Sequence, residues 1–490
     1  MDYRDLRAHL ALLEKRGLLR HVKKKVNKDW ELACIARWVC QSFEGDESFG
    51  LMFDEVDGFQ VPVVAQVFGS REMYALAIGT SPDNIYEKWA HAVQNPTKPV
   101  EVPRGPVKEI IKTNDHVNLS EIPVPVSTPG KDKAPYFSAA SVITKDPDTG
   151  IQNVGCYRLM VVDKKRIALN AVRPTQGGGI HYYAKYEPRN EPMPVAIAIG
   201  ADPSISLASA ARIPQDMDEF DVAGGLSGQP VEVVQAETVD LKVPAHAEYV
   251  IEGIVPPHER VSEGPFGEYK GYMCLEGTRP YIEVTCITHR KGPIFQTYLD
   301  QMPPSEGSQI RYQAWGSMLY RQLVYDSKEP GIGDVHFTES SGSWAHCIIQ
   351  MTPLYPGHSK KVGILALGLL DPTTIKMVTI VDDDVDIRDP FSVDWAVSFR
   401  VDPEKDVTII KNCLGLGNDP ATPSSGMGAK LIIDATMKHA YPDISLPSKE
   451  YMEKVLSAWK QTGLPDITVK KRTRLLLEER IPRNFILRYT

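Results

Sequence analysis

Apolar and polar positions are arranged along this chain in three successive styles. Over residues 4–16, Leu6, Leu10 and Leu13 recur at helical spacing, and Gly17 follows Lys15 and Arg16 as a C-terminal cap. A second helix is predicted over 31–43, with Leu32, Ile35, Ala36 and Val39 inward. Residues 51–56 and 61–67 read as strands about the Asp57-Gly58 turn. Ser81 and Pro82 open a helix that runs to about residue 94. Helices and strands alternate, so the first hundred residues read as α/β or α+β. Pro96, Pro99, Pro103 and Pro106 then mark an extended connector.

The second style is a density of short β-branched and aromatic runs between turns. They fall at 139–144, 155–162, 167–172, 194–199, 231–236, 247–254, 281–288 and 294–298. This spacing predicts an antiparallel barrel or sandwich, with a helical insert at 205–211. The third style begins after residue 305. A helix over 309–325 leads into strands at 347–351, 376–381 and 407–410, which alternate with helices at 359–369 and 393–399. That is the βα rhythm of a parallel sheet. A helix over 448–461 and a basic tail close the chain.

Composition changes this picture little. Of 490 residues, 42% are hydrophobic and 24% charged, as in an ordinary globular protein. The net charge of -8 argues against nucleic acid as the main partner. The tail is the exception: Lys470, Lys471, Arg472, Arg474, Arg480, Arg483 and Arg488 face only Glu478 and Glu479, and read as a solvated or oligomer-docking segment. Seven cysteines without a CxxC pair form neither a disulfide framework nor a zinc ribbon. The start lacks an apolar signal core, and no apolar run reaches the roughly 20 residues that span a bilayer. The expectation is a soluble, cytoplasmic protein with no membrane partner.

Chemistry concentrates in residues 152–158. Asn153, Cys156, Tyr157 and Arg158 bring an amide, a thiol, a phenol and a guanidinium within six positions, ahead of the apolar run 159–162. On one continuous strand, Cys156 and Arg158 would share a face. A buried Arg158 needs a carboxylate, and Glu263 and Glu268 are the candidates. They bracket Gly264-Pro265-Phe266-Gly267, which cannot be helix interior and must be a tight loop. One glutamate paired to Arg158 and one less paired could divide into an orienting group and a proton donor. Other motifs yield less. Asp382, Asp383, Asp384 and Asp386 lack the glycine and glutamate of an EF-hand and read as a charged strand end. Gly426, Gly428 and Lys430 only loosely resemble a phosphate loop, because Ala429 precedes the lysine and Leu431 follows it. Gly177, Gly178 and Gly179 suit either a mobile turn or close approach to an anion. His181, which follows, reads as an ordinary histidine. Zinc protease and serine hydrolase motifs do not occur.

Taken in order, six segments resemble the UbiD family of reversible (de)carboxylases, which use prenylated FMN. They are QNVGCYR at 152–158, DEFDVAGGL at 218–226, VPAHAEYVIEG at 243–253, EGPFGE at 263–268, VDDDVD at 381–386 and SGMGAK at 425–430. The resemblance implies a multidomain α/β and α+β fold: an N-terminal α/β domain (1–110), a split β-barrel that binds the flavin (111–305), a C-terminal α/β domain (306–465) and the basic tail (466–490). It implies Arg158, Glu263 and Glu268 as catalytic residues, with Glu268 the proton donor, Arg158 on the substrate carboxylate and Glu263 orienting Arg158. Asn153, Glu219 and Gln176 fall on the ligands of a divalent cation, manganese or magnesium. Gln176 replaces a histidine found in some relatives, and His181 is a possible substitute for it. Potassium would bind nearby through backbone carbonyls and Glu219. Asn153, Val154, Cys156, Tyr157, Arg158, Thr175, Gln176, Gly177, Glu219 and Lys430 fall on cofactor contacts. Cys156 and Tyr157 are there strand residues near the cofactor, not nucleophiles. The implied partners are an aromatic, heteroaromatic or α,β-unsaturated acid, carbon dioxide, a flavin prenyltransferase for maturation, and further copies of the chain. The rival readings are a cofactor-holding subunit of a larger carboxylase and a split-barrel flavin reductase. The intact Arg158, Glu263 and Glu268 set argues against the first, and the second α/β domain against the other.

Overall fold

The computed structural model describes residues 5–43, 45–170, 178–214, 216–370, 373–415, 419–422 and 426–477. Two compact units emerge: Met1–Met318 with Glu339–Ser343, and Leu319–Thr338 with Trp344–Thr490.

The first unit begins with the helices and strands that the periodicity predicts. Leu6–Lys15 buries Leu6, Leu10 and Leu13, and Asp5 caps it by accepting the Ala8 N–H at 2.9 Å. Glu31–Ser42 buries Leu32, Ala33 and Ala36, while Ile35 and Val39 are only half-buried. Leu19–Val22, Gly50–Phe53 and Val63–Ala65 form one sheet, and Phe295–Gln296 adds as its fourth strand. The pattern of 294–298 predicts a strand of the barrel, but the structure places Phe295–Gln296 in this sheet instead. Phe295 N–H donates to Pro62 O at 2.9 Å and Thr297 N–H to Val64 O at 3.0 Å. A strand's own pattern says that it will pair, not with which edge.

The centre of this unit is a nine-stranded sheet curled into a half-barrel. Its path runs Tyr136–Phe137, Leu159–Val161, Arg166–Leu169, Tyr281–His289, Tyr249–Val255, Met193–Ile199, Ser141–Lys145 and Gln152–Cys156, with Ile110–Thr113 added to Tyr281–His289. Neighbouring strands along this path are antiparallel. The inward face is a continuous apolar core that includes Val142, Leu159, Ile167, Val195, Ile197, Ile251 and Ile282. The curl follows from the chain path. Gln152–Cys156 is one edge, and Leu159–Val161 lies beside the other, yet only Tyr157 and Arg158 separate them. So short a link spans on the order of 10 Å, so the two edges must face each other. Tyr157 and Arg158 are thus the seam of the half-barrel. The single strand expected over 155–162 is broken at that seam, and the face-sharing of Cys156 and Arg158 does not apply.

Two helices that periodicity missed flank this sheet. Gly178–Tyr186 is short, and Glu219–Ser227 is buried on almost every side, so neither has a clear apolar stripe. The predicted insert is the helix Pro203–Ala210.

The second unit is built on a five-stranded sheet, ordered Ile332–Phe337, His346–Met351, Met377–Val381, Met427–Ala435 and Val407–Leu414. The central pairs are parallel, as the βα rhythm predicts, but both outer strands are antiparallel, so the sheet is mixed. The helices His358–Leu369 and Pro390–Arg400 accompany it. The strand Met427–Ala435 opens on Met-Gly-Ala-Lys, which reads as a loop until its pairing with both neighbours is known. Among the described residues, no helix is long and apolar enough to cross a membrane.

Candidate active site

Arg158 lies at the seam, and the loop over 263–268 meets it there. Its Nε and Nη2 donate to Glu263 Oε1 and Oε2, each at 2.9 Å, and Nη1 donates to Glu268 Oε1. The Glu263 side chain is 0% exposed and those of Arg158 and Glu268 only 8% and 10%. Burial works against the charge on Arg158. Glu268 and Glu263 outweigh it and hold the guanidinium protonated beyond the ordinary arginine range. The Phe266 ring lies 5.2 Å from the guanidinium carbon, a cation–π contact.

Local structure explains how one short loop presents two glutamates to one arginine. Glu263 ends the strand Val261–Glu263, which pairs with Gly277–Arg279, and Phe266–Gly267 pairs with Met273–Cys274. Gly264 sits between them at φ +90, where a side chain is strained, and the following bond to Pro265 is cis. After Glu268 the chain turns back, with Glu268 N–H donating to Tyr272 O at 3.1 Å and Gly271 N–H to Glu268 O at 2.9 Å.

Residues 128–136, which lead into the edge strand Tyr136–Phe137, brace this loop. Asp132 accepts Gly267 N–H at 2.9 Å and Thr128 N–H at 2.6 Å, and burial pushes its carboxyl up to about 6. Tyr136 donates to Glu263 Oε1 at 3.1 Å. Beside Glu268, the Arg311 guanidinium lies 3.6 Å over the Tyr269 ring and 3.5 Å from Asp300. Burial raises the Asp300 carboxyl despite Arg311. Sequence reasoning named none of Asp132, Tyr136, Asp300 and Arg311, which have no fixed spacing to the loop that they support.

Asn153, on the strand Gln152–Cys156, and Glu219 come together. Glu219 opens the helix Glu219–Ser227, which Asp218 caps by accepting Phe220 N–H at 2.9 Å. The Glu219 carboxylate accepts Asn153 Nδ2 at 2.7 Å and Val154 N–H at 2.6 Å. Burial nevertheless pushes it up to about 8. Asn153 Oδ1 is buried with no hydrogen-bond partner. A buried carboxylate beside an unpaired amide oxygen is the donor chemistry of a hard cation, which would hold Glu219 ionised. These two residues therefore fit the implied metal. Thr175, Gln176 and Gly177 lie outside the described residues. His181 is exposed on the helix Gly178–Tyr186. Among the described residues, no three His, Cys, Asp or Glu side chains are grouped to hold a metal.

Cys156 donates to Ser138 O at 3.6 Å, and burial pushes its thiol up to about 11, so it is not a thiolate. Tyr157 folds its ring back over the strand, where only a glycine at 155 leaves room: a Cβ there would meet the ring at 2.5 Å. Lys430 belongs to the second unit, on the strand Met427–Ala435, where its ammonium donates to Thr374 O at 3.2 Å and to Ile375 O. In the same unit, Asp382 and Asp384 receive Arg400 at 3.0 and 2.6 Å. That acidic run is thus an internal ion-pair lock at the end of Met377–Val381.

Three family descriptions match consecutive parts of the chain. They are the 3-octaprenyl-4-hydroxybenzoate carboxy-lyase N-terminal domain at residues 10–93, the Rift-related domain at 98–303 and the C-terminal domain at 314–435. An uncharacterised protein of Aquifex aeolicus is 32% identical, covering 94% of this chain and 99% of its own. Among solved structures, the UbiD-class enzyme HmfF from Pelotomaculum thermopropionicum, in complex with FMN, is 34% identical at a TM-score of 0.81, covering 91% of this chain and 98% of its own. An evolved dimeric form of that enzyme was solved with prFMN. Vanillic acid decarboxylase from Sedimentibacter hydroxybenzoicus, in closed form, is 31% identical at a TM-score of 0.83, covering 94% of this chain and all of its own (100%). Matched from its N-terminal to its C-terminal domain and across nearly the whole length of these relatives, the chain belongs to the UbiD family of carboxy-lyases.

Proposed function

We propose that this protein is a reversible, non-oxidative decarboxylase of an aromatic, heteroaromatic or α,β-unsaturated carboxylic acid that works with prenylated FMN. The observation that carries this reading is the buried Arg158 held between Glu263 and Glu268 at the seam of the half-barrel. The solved relatives support it, since one binds FMN and another is a decarboxylase of an aromatic acid.

Loss of carbon dioxide from an sp² carbon leaves electrons that need a sink, and prenylated flavin supplies that sink when bound. The protein's own groups do the rest. Arg158 holds the substrate carboxylate, and Glu263 keeps the guanidinium in place while it does so. Glu268 delivers a proton to the carbon that carbon dioxide leaves, and in the carboxylation direction takes one from it. Holding acid and substrate in one buried site removes the entropy cost of their meeting. Asn153, Glu219 and Gln176 would hold a manganese or magnesium ion, which would supply positive charge to an anionic cofactor, and Glu219 with backbone carbonyls would hold potassium. Val154, Cys156, Tyr157, Thr175 and Gly177 would complete the cofactor contacts. In this reading the domains divide at 1–110, 111–305 and 306–465, followed by the basic tail from 466. The protein works in the cytoplasm as an oligomer, and a flavin prenyltransferase supplies its cofactor.

Native mass spectrometry of protein co-expressed with a flavin prenyltransferase and purified without oxygen tests this reading. Prenylated FMN with a divalent cation is the expected content, followed by carbon dioxide release from a panel of aromatic and unsaturated acids. Absence of any flavin, with the prenyltransferase shown to be active, would overturn it.

A further inference from the structure

Tyr136 touches three parts of the loop that presents the glutamates. It is 0% exposed and lies on Tyr136–Phe137, the edge of the half-barrel opposite Gln152–Cys156. Its hydroxyl accepts Gly264 N–H at 3.1 Å and donates to Glu263 Oε1 at 3.1 Å. Its ring packs 4.4 Å from that of Phe266, which in turn lies beneath Arg158. One side chain thus meets the backbone, the carboxylate and the aromatic ring of the same loop.

The carboxylate contact is the consequential one. The last torsion of a glutamate has broad preferences, so its rotamer alone does not set the plane of the carboxylate. For Glu263 that plane is set by its donors. Oε1 receives both Tyr136 and Arg158 Nε, and Oε2 receives Arg158 Nη2. Arg279 Nε stands further off, 3.8 Å from Oε2. Arg158 cannot fix Glu263 independently, because Arg158 is the group to be fixed. Tyr136 belongs to a different strand and is the donor that ties the pair to the barrel wall. Burial and the neighbouring Glu263 push its phenol above the ordinary range, so it remains a donor.

We infer that Tyr136 is a positioning residue for the Arg158 cluster: its hydroxyl fixes the Glu263 carboxylate, and through it the angle at which Arg158 meets a substrate carboxylate. The inference rests on the decarboxylase reading for its effect on turnover, but the contact itself is tested without it. Four proteins suffice: wild type, Tyr136→Phe, Glu263→Gln and the double variant, each co-expressed with the prenyltransferase and assayed on the acid that wild type decarboxylates fastest. Tyr136→Phe keeps the ring and loses only the hydroxyl. Loss of one hydrogen bond to a buried charge should lower kcat by roughly 10- to 100-fold, with KM changed by less than about threefold and cofactor content unchanged. The double variant should be no slower than Glu263→Gln alone, because Tyr136 acts through Glu263. Unchanged kcat in Tyr136→Phe, or losses that multiply in the double variant, would overturn the inference. Hydrogen exchange of the strands Val261–Glu263 and Phe266–Gly267 in the same four proteins without cofactor gives the independent readout. Non-additive shifts in their opening free energy are expected, and additive shifts would overturn the inference. If wild type decarboxylates nothing while the shifts are non-additive, the decarboxylase reading fails and the positioning of Glu263 by Tyr136 stands.

Discussion

Replacing Arg158 with methionine removes the cation but keeps an apolar stem beside Phe266. The consequence follows from burial. Glu263 has no solvent exposure and loses two donors at 2.9 Å, and Glu268 loses its contact with Nη1. Tyr136 at 3.1 Å and Arg279 at 3.8 Å remain to Glu263. Removing one partner of a buried ion pair costs about 3–5 kcal/mol, because the other charge is left in a poor solvent. Arg279 offsets part of this, which puts the expected loss near 3 kcal/mol, at the low end of that range. Neutralising both acids in Arg158→Met/Glu263→Gln/Glu268→Gln should recover most of it, because a buried network replaced as a whole is often nearly neutral. The chain has two compact units, so a single unfolding midpoint mixes them. Hydrogen exchange of the strands Val261–Glu263 and Phe266–Gly267 during mild denaturation reads the affected region directly. A loss below about 1 kcal/mol, the range of an exposed pair, would show that Arg158 does not offset buried charge here, as would a triple variant no more stable than Arg158→Met.

Further outcomes are expected elsewhere. The Asp132 carboxyl is raised from 3.8 to about 6 by burial. Its contribution to stability is therefore full below pH 3.8 and is lost as pH rises through 6, on the order of 2 kcal/mol after allowance for its partial exposure. Asp132→Asn should flatten the stability profile between those pH values, and an unchanged slope would contradict the assignment. Arg400→Ala leaves Asp382 and Asp384 buried without their cation, and should destabilise the second unit by about 3–5 kcal/mol. Added calcium should leave wild-type melting unchanged, and a calcium-dependent rise in melting temperature would refute the ion-pair lock. Gly155→Ala places a methyl group 2.5 Å from the Tyr157 ring, and should cost about 1–3 kcal/mol by overpacking. A denaturation curve matching wild type would show that the ring moves aside freely.

The sequence was most legible where periodicity is local. Leu6, Leu10 and Leu13 mark their helix and its buried face, and the run of β-branched segments announces an antiparallel sheet. It was least legible where pairing is long-range. Residues 295–296 look like any other strand of the barrel but complete a sheet begun at residue 19. The helix Glu219–Ser227 is buried nearly all round, so its pattern lacks the polar face that announces a helix. At the site, Arg158, Glu263 and Glu268 were visible as chemistry in need of partners. Tyr136 and Asp132 were not, because a buried tyrosine at a strand end and an aspartate in a loop have ordinary structural explanations. Only the curling of the sheet brings them to the loop that they hold.

In the proposed reaction, Glu268 transfers the proton within a site organised by Arg158. Glu268→Gln, loaded with cofactor beside wild type, tests it most directly through carbon dioxide release from the acid that wild type turns over. Retained flavin and no turnover are expected of the variant. Flavin retained at wild-type content with full turnover would contradict that role.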